Sequence, residues 1–105
     1  MSTNEIPRWF QILKQKYPKY MQALDTLGTS VRNEGPLDDK TAHLIQLAGA
    51  AANRSEGSVH SHTRRLLEIG ANADEINHAM IHLTSTNGFT AVSAALSCVN
   101  DILEK

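Results

Sequence analysis

The chain has 105 residues, of which 41% are hydrophobic and 20% are charged, proportions that are typical of a folded globular domain. Ten Lys and Arg residues against eleven Asp and Glu residues give a formal net charge of -1. This balance argues against nucleic acid as a partner, because proteins that bind nucleic acid carry excess positive charge for the phosphates. No apolar segment has the length of a membrane span, and the first residues lack the pattern of an export signal. The sequence therefore predicts one cytoplasmic domain over residues 1–105, with a single core and no membrane partner.

The spacing of hydrophobic residues is helical along the whole chain and predicts an all-α, single-domain bundle of about six helices. Pro7 and Pro18 each suit the first turn of a helix, where the hydrogen that proline lacks would go unpaired. We predict one helix from each of these prolines. The buried faces of the two helices are expected to come from Trp9, Leu13, Tyr20, Leu24 and Leu27.

Two further helices follow a break at Gly35 and Pro36. Asp38 is expected to cap the third helix, "KTAHLIQLAGAAAN", which is apolar nearly all round and should lie at the centre of the bundle. The fourth helix lies within "RSEGSVHSHTRRLLEIG", with Ser55 as its predicted N-cap and Gly70 as its left-handed stop.

The last two predicted helices contain the only cysteine of the chain. The fifth helix, in "ANADEINHAMIHLTS", begins with Asn72 and Glu75 at the spacing of a capping box. The sixth is predicted from Phe89 to Leu103 and includes Cys98. A single cysteine cannot form a disulfide within the chain, and this one is expected to pack as a small buried hydrophobic residue.

Three polar side chains share one stripe at the start of the fourth helix. Ser55, Ser58 and His62 are spaced i, i+3 and i+7, which places them on the same face. A polar group that begins an otherwise apolar stripe needs a partner, and so does His43 on the apolar helix before it. His43 and His62 are therefore candidate partners for one another.

From "YPKYMQALDTL" through "GPLDDKTAHLIQLAGAAANRSEGSVHSHTRRLLEIGANADEI" to the closing helix, the chain resembles the carboxymuconolactone decarboxylase and alkylhydroperoxidase D-like proteins. Redox members of that family carry Glu, eleven residues, Cys-x-x-Cys, three residues and His. By this spacing the glutamate falls on His43, the two cysteines on Ser55 and Ser58, and the histidine on His62, so that only His62 matches. The resemblance implies a helical homo-oligomer, commonly a trimer or hexamer.

In the redox relatives the two thiols cycle through a disulfide, a reaction that serine cannot perform. Peroxide reduction by this route is therefore excluded. We predict instead a pocket formed by His43, Ser55, Ser58 and His62 that binds a small molecule. One alternative is acid-base chemistry of a hydrolase or decarboxylase type, in which a histidine is the base and a serine its hydroxyl partner. A second alternative is a non-catalytic oligomeric scaffold. The sequence has no nucleotide or flavin motif and leaves the cofactor open.

Five histidines raise the further possibility of a divalent metal. His43 and His62 are the tentative ligands, with a third donor from His60, His82, Glu56 or another chain. An all-histidine site would suit zinc, nickel, copper or iron. His60 lies about 200 degrees around the helix from His62, so the two are not expected to share a site within one chain.

His78 and His82 are spaced i, i+4, which allows two imidazoles of one helix to reach a common ion. The core side of their helix is set by Ile76, Ala79, Met80 and Leu83. The two histidines are therefore expected to face solvent or a neighbouring subunit.

Overall fold

Residues 8–105, which the computed structural model describes, form helices without any strand. In chain order they are α1 (Arg8–Lys16), α2 (Pro18–Asn33), α3 (Asp39–Ala52), α4 (Glu56–Glu68), α5 (Ala73–His82), α6 (Thr84–Asn87) and α7 (Phe89–Leu103). The all-α prediction is confirmed: each of the six predicted helices is found, and α6 adds one short turn. Pro18 occupies the first turn of α2 as predicted, whereas Pro7 lies outside the described residues. None of the helices in residues 8–105 has both the length and the apolarity to cross a membrane.

The core is built by α3, α4, α5 and α7, with α4 packed between α3 and α7. Leu47 of α3, Leu66 of α4 and Val99 of α7 are fully buried, as are Ile76 and Met80 of α5. Burying such side chains contributes about 1.5 to 3 kcal/mol each. Val59, Thr63 and Leu66 anchor α4 in the core, and this fixes the position of the polar residues at its start, where the site described below lies.

Side-chain caps define the ends of the core helices as the sequence predicts. The Asp38 carboxylate accepts a hydrogen bond from the Thr41 backbone N–H at 2.8 Å, at the start of α3. Asn72 and Glu75 form a reciprocal capping box at the start of α5, with hydrogen bonds of 2.8 and 3.0 Å. Each cap satisfies backbone N–H groups that have no partner within the helix.

The predicted left-handed stop after α4 is confirmed at Gly70, where φ is 98°. The Gly70 N–H donates to the Leu67 carbonyl at 3.2 Å, and the Ala71 N–H donates to the Leu66 carbonyl at 2.9 Å. This pair of bonds is a Schellman motif, which requires a residue in the left-handed region and therefore favours glycine.

The predicted buried faces of α1 and α2 are largely wrong. Trp9, Tyr20, Leu24 and Leu27 are exposed, and Leu13 is only half-buried. The reason is that α2 packs chiefly against α1 and contributes a single buried residue, Met21. Each helix has an apolar face, but the bundle of α3, α4, α5 and α7 covers little of it.

The turn between α3 and α4 differs from the sequence prediction in its hydrogen bonding. Arg54 has φ of 56°, in the left-handed region, and Ser55 follows as the N-cap. The Ser55 side chain makes no capping hydrogen bond, and its ψ is 87°. Asp38 and Asn72, which do cap their helices, both have ψ of 169°. The N-cap position is therefore correct, but the predicted hydrogen bond does not form because the backbone of Ser55 turns differently.

Candidate functional site

The structure brings the imidazoles of His43 and His62 together, with ring centres 5.8 Å apart and ring planes at 49°. His43 projects from α3 and is only 5% exposed, and His62 projects from α4 and is half-buried. Within residues 8–105, neither ring nitrogen of His43 has a hydrogen-bond partner. A buried polar group without a partner destabilises a fold by about 1 to 3 kcal/mol, so its presence calls for a functional explanation.

The surroundings favour the neutral form of both rings. Burial lowers the pKa of His43 below its usual 6.5, and the charges of Arg32 and Arg65 lower it further against the opposing effect of Asp39. Burial also lowers the pKa of His62, followed by the charges of His43 and Arg32. At neutral pH each imidazole therefore keeps one nitrogen lone pair that can accept a proton.

His62 opens onto a cleft of about 630 Å³ between α4 and the α1–α2 pair. We call this the α2–α4 cleft. Its polar wall comes from the first half of α4 and the residue before it: Ser55, Ser58, Ser61 and His62. His43 does not line the cleft but lies behind His62, one ring further into the fold.

The opposite wall of the α2–α4 cleft is mostly apolar, with one cation and one anion. Arg32 and Asp25 of α2 supply the two charges. The apolar part comes from Trp9, Phe10, Leu13, Met21 and Leu24. A molecule held here would meet an apolar surface on one side and hydroxyl, imidazole and guanidinium groups on the other.

Ser55 and Ser58, which the sequence spacing aligns with the predicted thiol positions, line the cleft, and both are exposed. Among the described residues, neither hydroxyl hydrogen-bonds to His62. The first N–H groups of α4 also lack a side-chain cap from Ser55. Together with Arg32, this helix start favours a negatively charged group in the cleft over a positively charged one.

No third metal donor joins His43 and His62 within the part of the chain that the structure describes. The group of three donors found there lies elsewhere, at His60, Cys98 and Asp101. The tentative metal site at His43 and His62 thus stays a prediction, and its third ligand does not come from His60 of the same chain.

His78 and His82 are both exposed, with ring centres 4.6 Å apart. Ile76 and Met80 are fully buried on the other side of α5. The outward orientation expected for the two histidines is confirmed.

Cys98 does not replace the missing thiols of the α2–α4 cleft. It projects from α7 toward a different face of α4, where its Sγ lies 3.8 Å from the Glu56 carbonyl oxygen. It is partly buried and packs against the hydrophobic core, so the predicted packing role is confirmed, although the side chain is not fully buried. Burial and the nearby carboxylates of Glu56 and Asp101 raise the pKa of the Cys98 thiol to about 11, which makes it a poor nucleophile at neutral pH.

Sequence reasoning also missed two features that matter for chemistry. Arg32 carries no motif signal, because it is one basic residue near the end of an ordinary helix. The contact of His60 with Asp101, at 3.0 Å, depends on how α4 crosses α7. The i, i+3 spacing of Cys98 and Asp101 was the available clue to that second group.

The fold and the site together describe a small helical bundle with a histidine-bearing cleft beside α4. Residues 18–101 match the Carboxymuconolactone decarboxylase family, and the chain belongs to this family. A crystal structure of apo-lpg0406, a carboxymuconolactone decarboxylase family protein from Legionella pneumophila, has the same fold. It superimposes with a TM-score of 0.77 over 90% of this chain and 88% of that chain, at 21% sequence identity.

Two relatives extend the comparison to sequence. An uncharacterized protein of Haemophilus influenzae is 37% identical over 60 residues, covering 57% of this chain and 53% of the relative. An uncharacterized protein of Methanocaldococcus jannaschii is 31% identical over 70 residues, covering 67% of this chain and 65% of the relative. The matched regions thus span between about half and two thirds of the relatives' lengths.

Proposed function

We propose that the chain binds a small keto or lactone carboxylic acid in the α2–α4 cleft, and that neutral His62 accepts a proton from the bound molecule. The observation that carries this proposal is the position of His62 on the polar wall of the cleft, backed by His43, whose buried nitrogens have no partner. Thiol peroxidase chemistry is not part of the proposal, because Ser55 and Ser58 stand at the thiol positions.

Arg32 supports a carboxylate as the recognised group. Arg32 lines the cleft, and its charge acts on both histidines. Arginine pairs with carboxylates through charge-assisted hydrogen bonds that are about twice as strong as neutral ones. Asp25 on the same wall opposes a second negative charge on the ligand, so a monocarboxylate suits the cleft better than a dicarboxylate.

The apolar wall and the neutral base together indicate the rest of the ligand. A compact apolar body would cover Trp9, Phe10 and Leu24. A C–H bond beside a carbonyl is acidic enough for an imidazole to take its proton, leaving the electron pair on the carbonyl oxygen as an enolate. The family's name refers to a decarboxylase, an enzyme class whose substrates are carboxylic acids.

The cytoplasmic location stays a prediction of the sequence.

The test is a binding screen by NMR with small oxo acids and lactone acids, each paired with its methyl ester. We expect the acids but not the esters to shift the resonances of His62 and Ser58. Arg32→Gln should weaken binding about tenfold, the loss of roughly 1.4 kcal/mol. Lys19→Gln, which removes a positive charge from the same helix outside the cleft, should leave binding unchanged. Equal shifts with acids and esters would contradict carboxylate recognition.

The proton-transfer half of the proposal has its own readout. In heavy water, the protein should speed the exchange of the C–H beside the carbonyl of a bound acid for deuterium. His62→Gln should abolish that exchange while keeping binding within about threefold. Bound acid without any exchange above the protein-free rate would show that the cleft only binds.

We also propose that the chain self-associates through α2, as a trimer or hexamer. Tyr20, Leu24, Leu27 and Val31 are spaced i, i+4, i+7 and i+11, which places them on one stripe. They are 61%, 41%, 59% and 61% exposed, an unusual state for a continuous apolar stripe. Leu24 also lines the cleft, so a neighbouring subunit on this stripe would border the bound molecule.

Light scattering after size-exclusion chromatography tests the self-association. The parent should elute as an oligomer, and Leu27→Asp should shift it to the monomer, because a charge would be desolvated at the interface. Gln22→Asp, a change at another exposed residue of α2 that lies off the stripe, should leave the mass unchanged. A monomeric parent at micromolar concentration would overturn the proposal.

A further inference from the structure

Three side chains with metal-binding atoms meet on the face of α4 that is turned away from the α2–α4 cleft. His60 comes from α4, whereas Cys98 and Asp101 come from successive turns of α7. One donor atom from each lies within 4.8 Å of the other two. The His60 Nε2 and an Asp101 carboxylate oxygen are only 3.0 Å apart. In the described part of the chain, no other group of three such residues meets this condition.

We propose that His60, Cys98 and Asp101 form a binding site for a divalent cation of the zinc class. A thiolate, an imidazole and a carboxylate are the three ligand types that zinc takes in proteins. Magnesium and calcium prefer oxygen donors alone, so the sulfur and nitrogen of this set select against them. The site is distinct from the tentative pair at His43 and His62, since it shares no residue with it.

The distances between the donors fit a tetrahedral ion after small side-chain rotations. Metal bonds of about 2.0 Å to nitrogen and oxygen and about 2.3 Å to sulfur imply donors roughly 3.3 to 3.5 Å apart. The His60 to Asp101 distance of 3.0 Å is already close to this, and the remaining pairs are at most 4.8 Å apart. The Asp101 side chain is 55% exposed, which leaves space for it to rotate, while the contact between α4 and α7 holds the backbones in place.

The charges around Cys98 also favour a cation. The carboxylates of Glu56 and Asp101 lie close enough to Cys98 that both would repel a thiolate there. A divalent ion would cancel the repulsion between these groups and stabilise the thiolate. On binding, the S–H proton leaves to solvent as the sulfur–metal bond forms. The His60 Nε2 gives its lone pair to the metal, so the ring proton is carried on Nδ1.

Three protein ligands leave one position of a tetrahedral ion free for water or a ligand. A cavity of about 260 Å³ borders the cluster at Cys98, and its other walls include Glu56, Arg54 and Thr90. A fourth ligand could reach the metal from this side. Such an arrangement, with three protein ligands and an accessible position, is found in zinc sites that act on substrates rather than in closed structural ones.

The test is a titration of the untagged, chelator-stripped protein with Co²⁺, whose spectrum reports sulfur ligation. We expect one Co²⁺ per chain, with a near-ultraviolet thiolate-to-cobalt band, and its displacement by one equivalent of Zn²⁺. Cys98→Ser should abolish the band, and Asp101→Asn should weaken binding at least tenfold. The control variant His78→Ala, His82→Ala removes the exposed histidine pair of α5 and should change neither the band nor the affinity.

A protein that gives no thiolate band, or a band that survives Cys98→Ser, would overturn the proposal. So would binding that follows His78 and His82 instead of the cluster. Circular dichroism of each variant separates loss of a ligand from loss of the fold. Asp101→Asn serves as the second arm if Cys98→Ser fails to fold, because Asp101 is largely exposed and its amide keeps the shape of the carboxylate.

Discussion

Two histidines of α4, only two residues apart, lie in opposite environments. His62 borders the α2–α4 cleft and faces the buried ring of His43. His60 faces α7, where it contacts Asp101 at 3.0 Å near the surface. Because a helix turns about 100 degrees per residue, neighbouring positions of the same type serve two separate faces. The two histidines of α4 therefore belong to two different sites, and the composition of the helix does not distinguish them.

The comparison teaches that partners, rather than residue type, determine the chemistry of an imidazole. Neither His43 nor His62 hydrogen-bonds to a carboxylate among the described residues, and burial lowers the pKa of both rings, which favours their neutral forms. His60 has both a carboxylate and a thiol within reach. The first environment suits proton transfer to a bound molecule, and the second suits a cation.

Replacing His43 by leucine is expected to have the largest effect on the stability of the fold and on its dependence on pH. At about pH 7.5 we expect His43→Leu to stabilise the fold by about 1 kcal/mol, because a buried polar group without a partner is removed. The parent should also lose stability on acidification. The folded pKa of His43 lies below the usual 6.5, so the unfolded chain binds the proton first. The contribution of His43 to the free energy of unfolding is therefore fully present above about pH 6.5, and it is lost as the pH drops toward the folded pKa.

Urea unfolding at about pH 7.5 and about pH 5.5 measures both parts of this prediction. The His43→Leu variant should have a shallower loss on acidification than the parent, with the remaining slope due to His62. Gln22→Leu, at an exposed residue of α2 that carries no ionisable group, is the control and should leave the slope unchanged. A variant that is less stable than the parent at both pH values would show that the buried imidazole has a structural partner.

A gain in stability from His43→Leu would also bear on the proposed function. Residues that cost stability are commonly retained because activity needs them. If the variant is more stable but no longer supports deuterium exchange of a bound acid, the unpartnered ring is explained by the chemistry of the cleft.

The sequence predicted the core helices well because their signals are local. The caps at Asp38 and Asn72 and the stop at Gly70 depend only on residues within one turn, and all three are found. The apolar faces of α1 and α2 were read as buried for the same local reason. Their exposure could not be predicted, since an amphipathic pattern gives the apolar side of a helix but not whether the same chain covers it.

Local sequence patterns were equally unable to predict which single residues of different helices meet at a site. The approach of His43 to His62 was expected from the spacing shared with the redox relatives. The contact of His60 with Asp101 joins residues 41 positions apart, and no pattern within α4 or α7 specifies which turns meet. Arg32 belongs to the cleft for the same reason, since it depends on the path of α2 beside α4. Long-range packing thus determined which of several plausible polar residues share a site.

The smallest expected effect concerns the contact of His60 with Asp101 near the surface. With a chelator present, Asp101→Asn should lower the free energy of unfolding by less than about 1 kcal/mol, because a side-chain contact this exposed contributes little. Chemical denaturation measures this against Lys40→Gln, which removes the similarly exposed contact of Lys40 with Glu75 at 2.8 Å. A loss above about 2 kcal/mol would mean that the His60 to Asp101 contact holds α4 to α7. The donors would then be fixed in a hydrogen bond and could not rotate toward a cation, whereas a small loss leaves them free to do so.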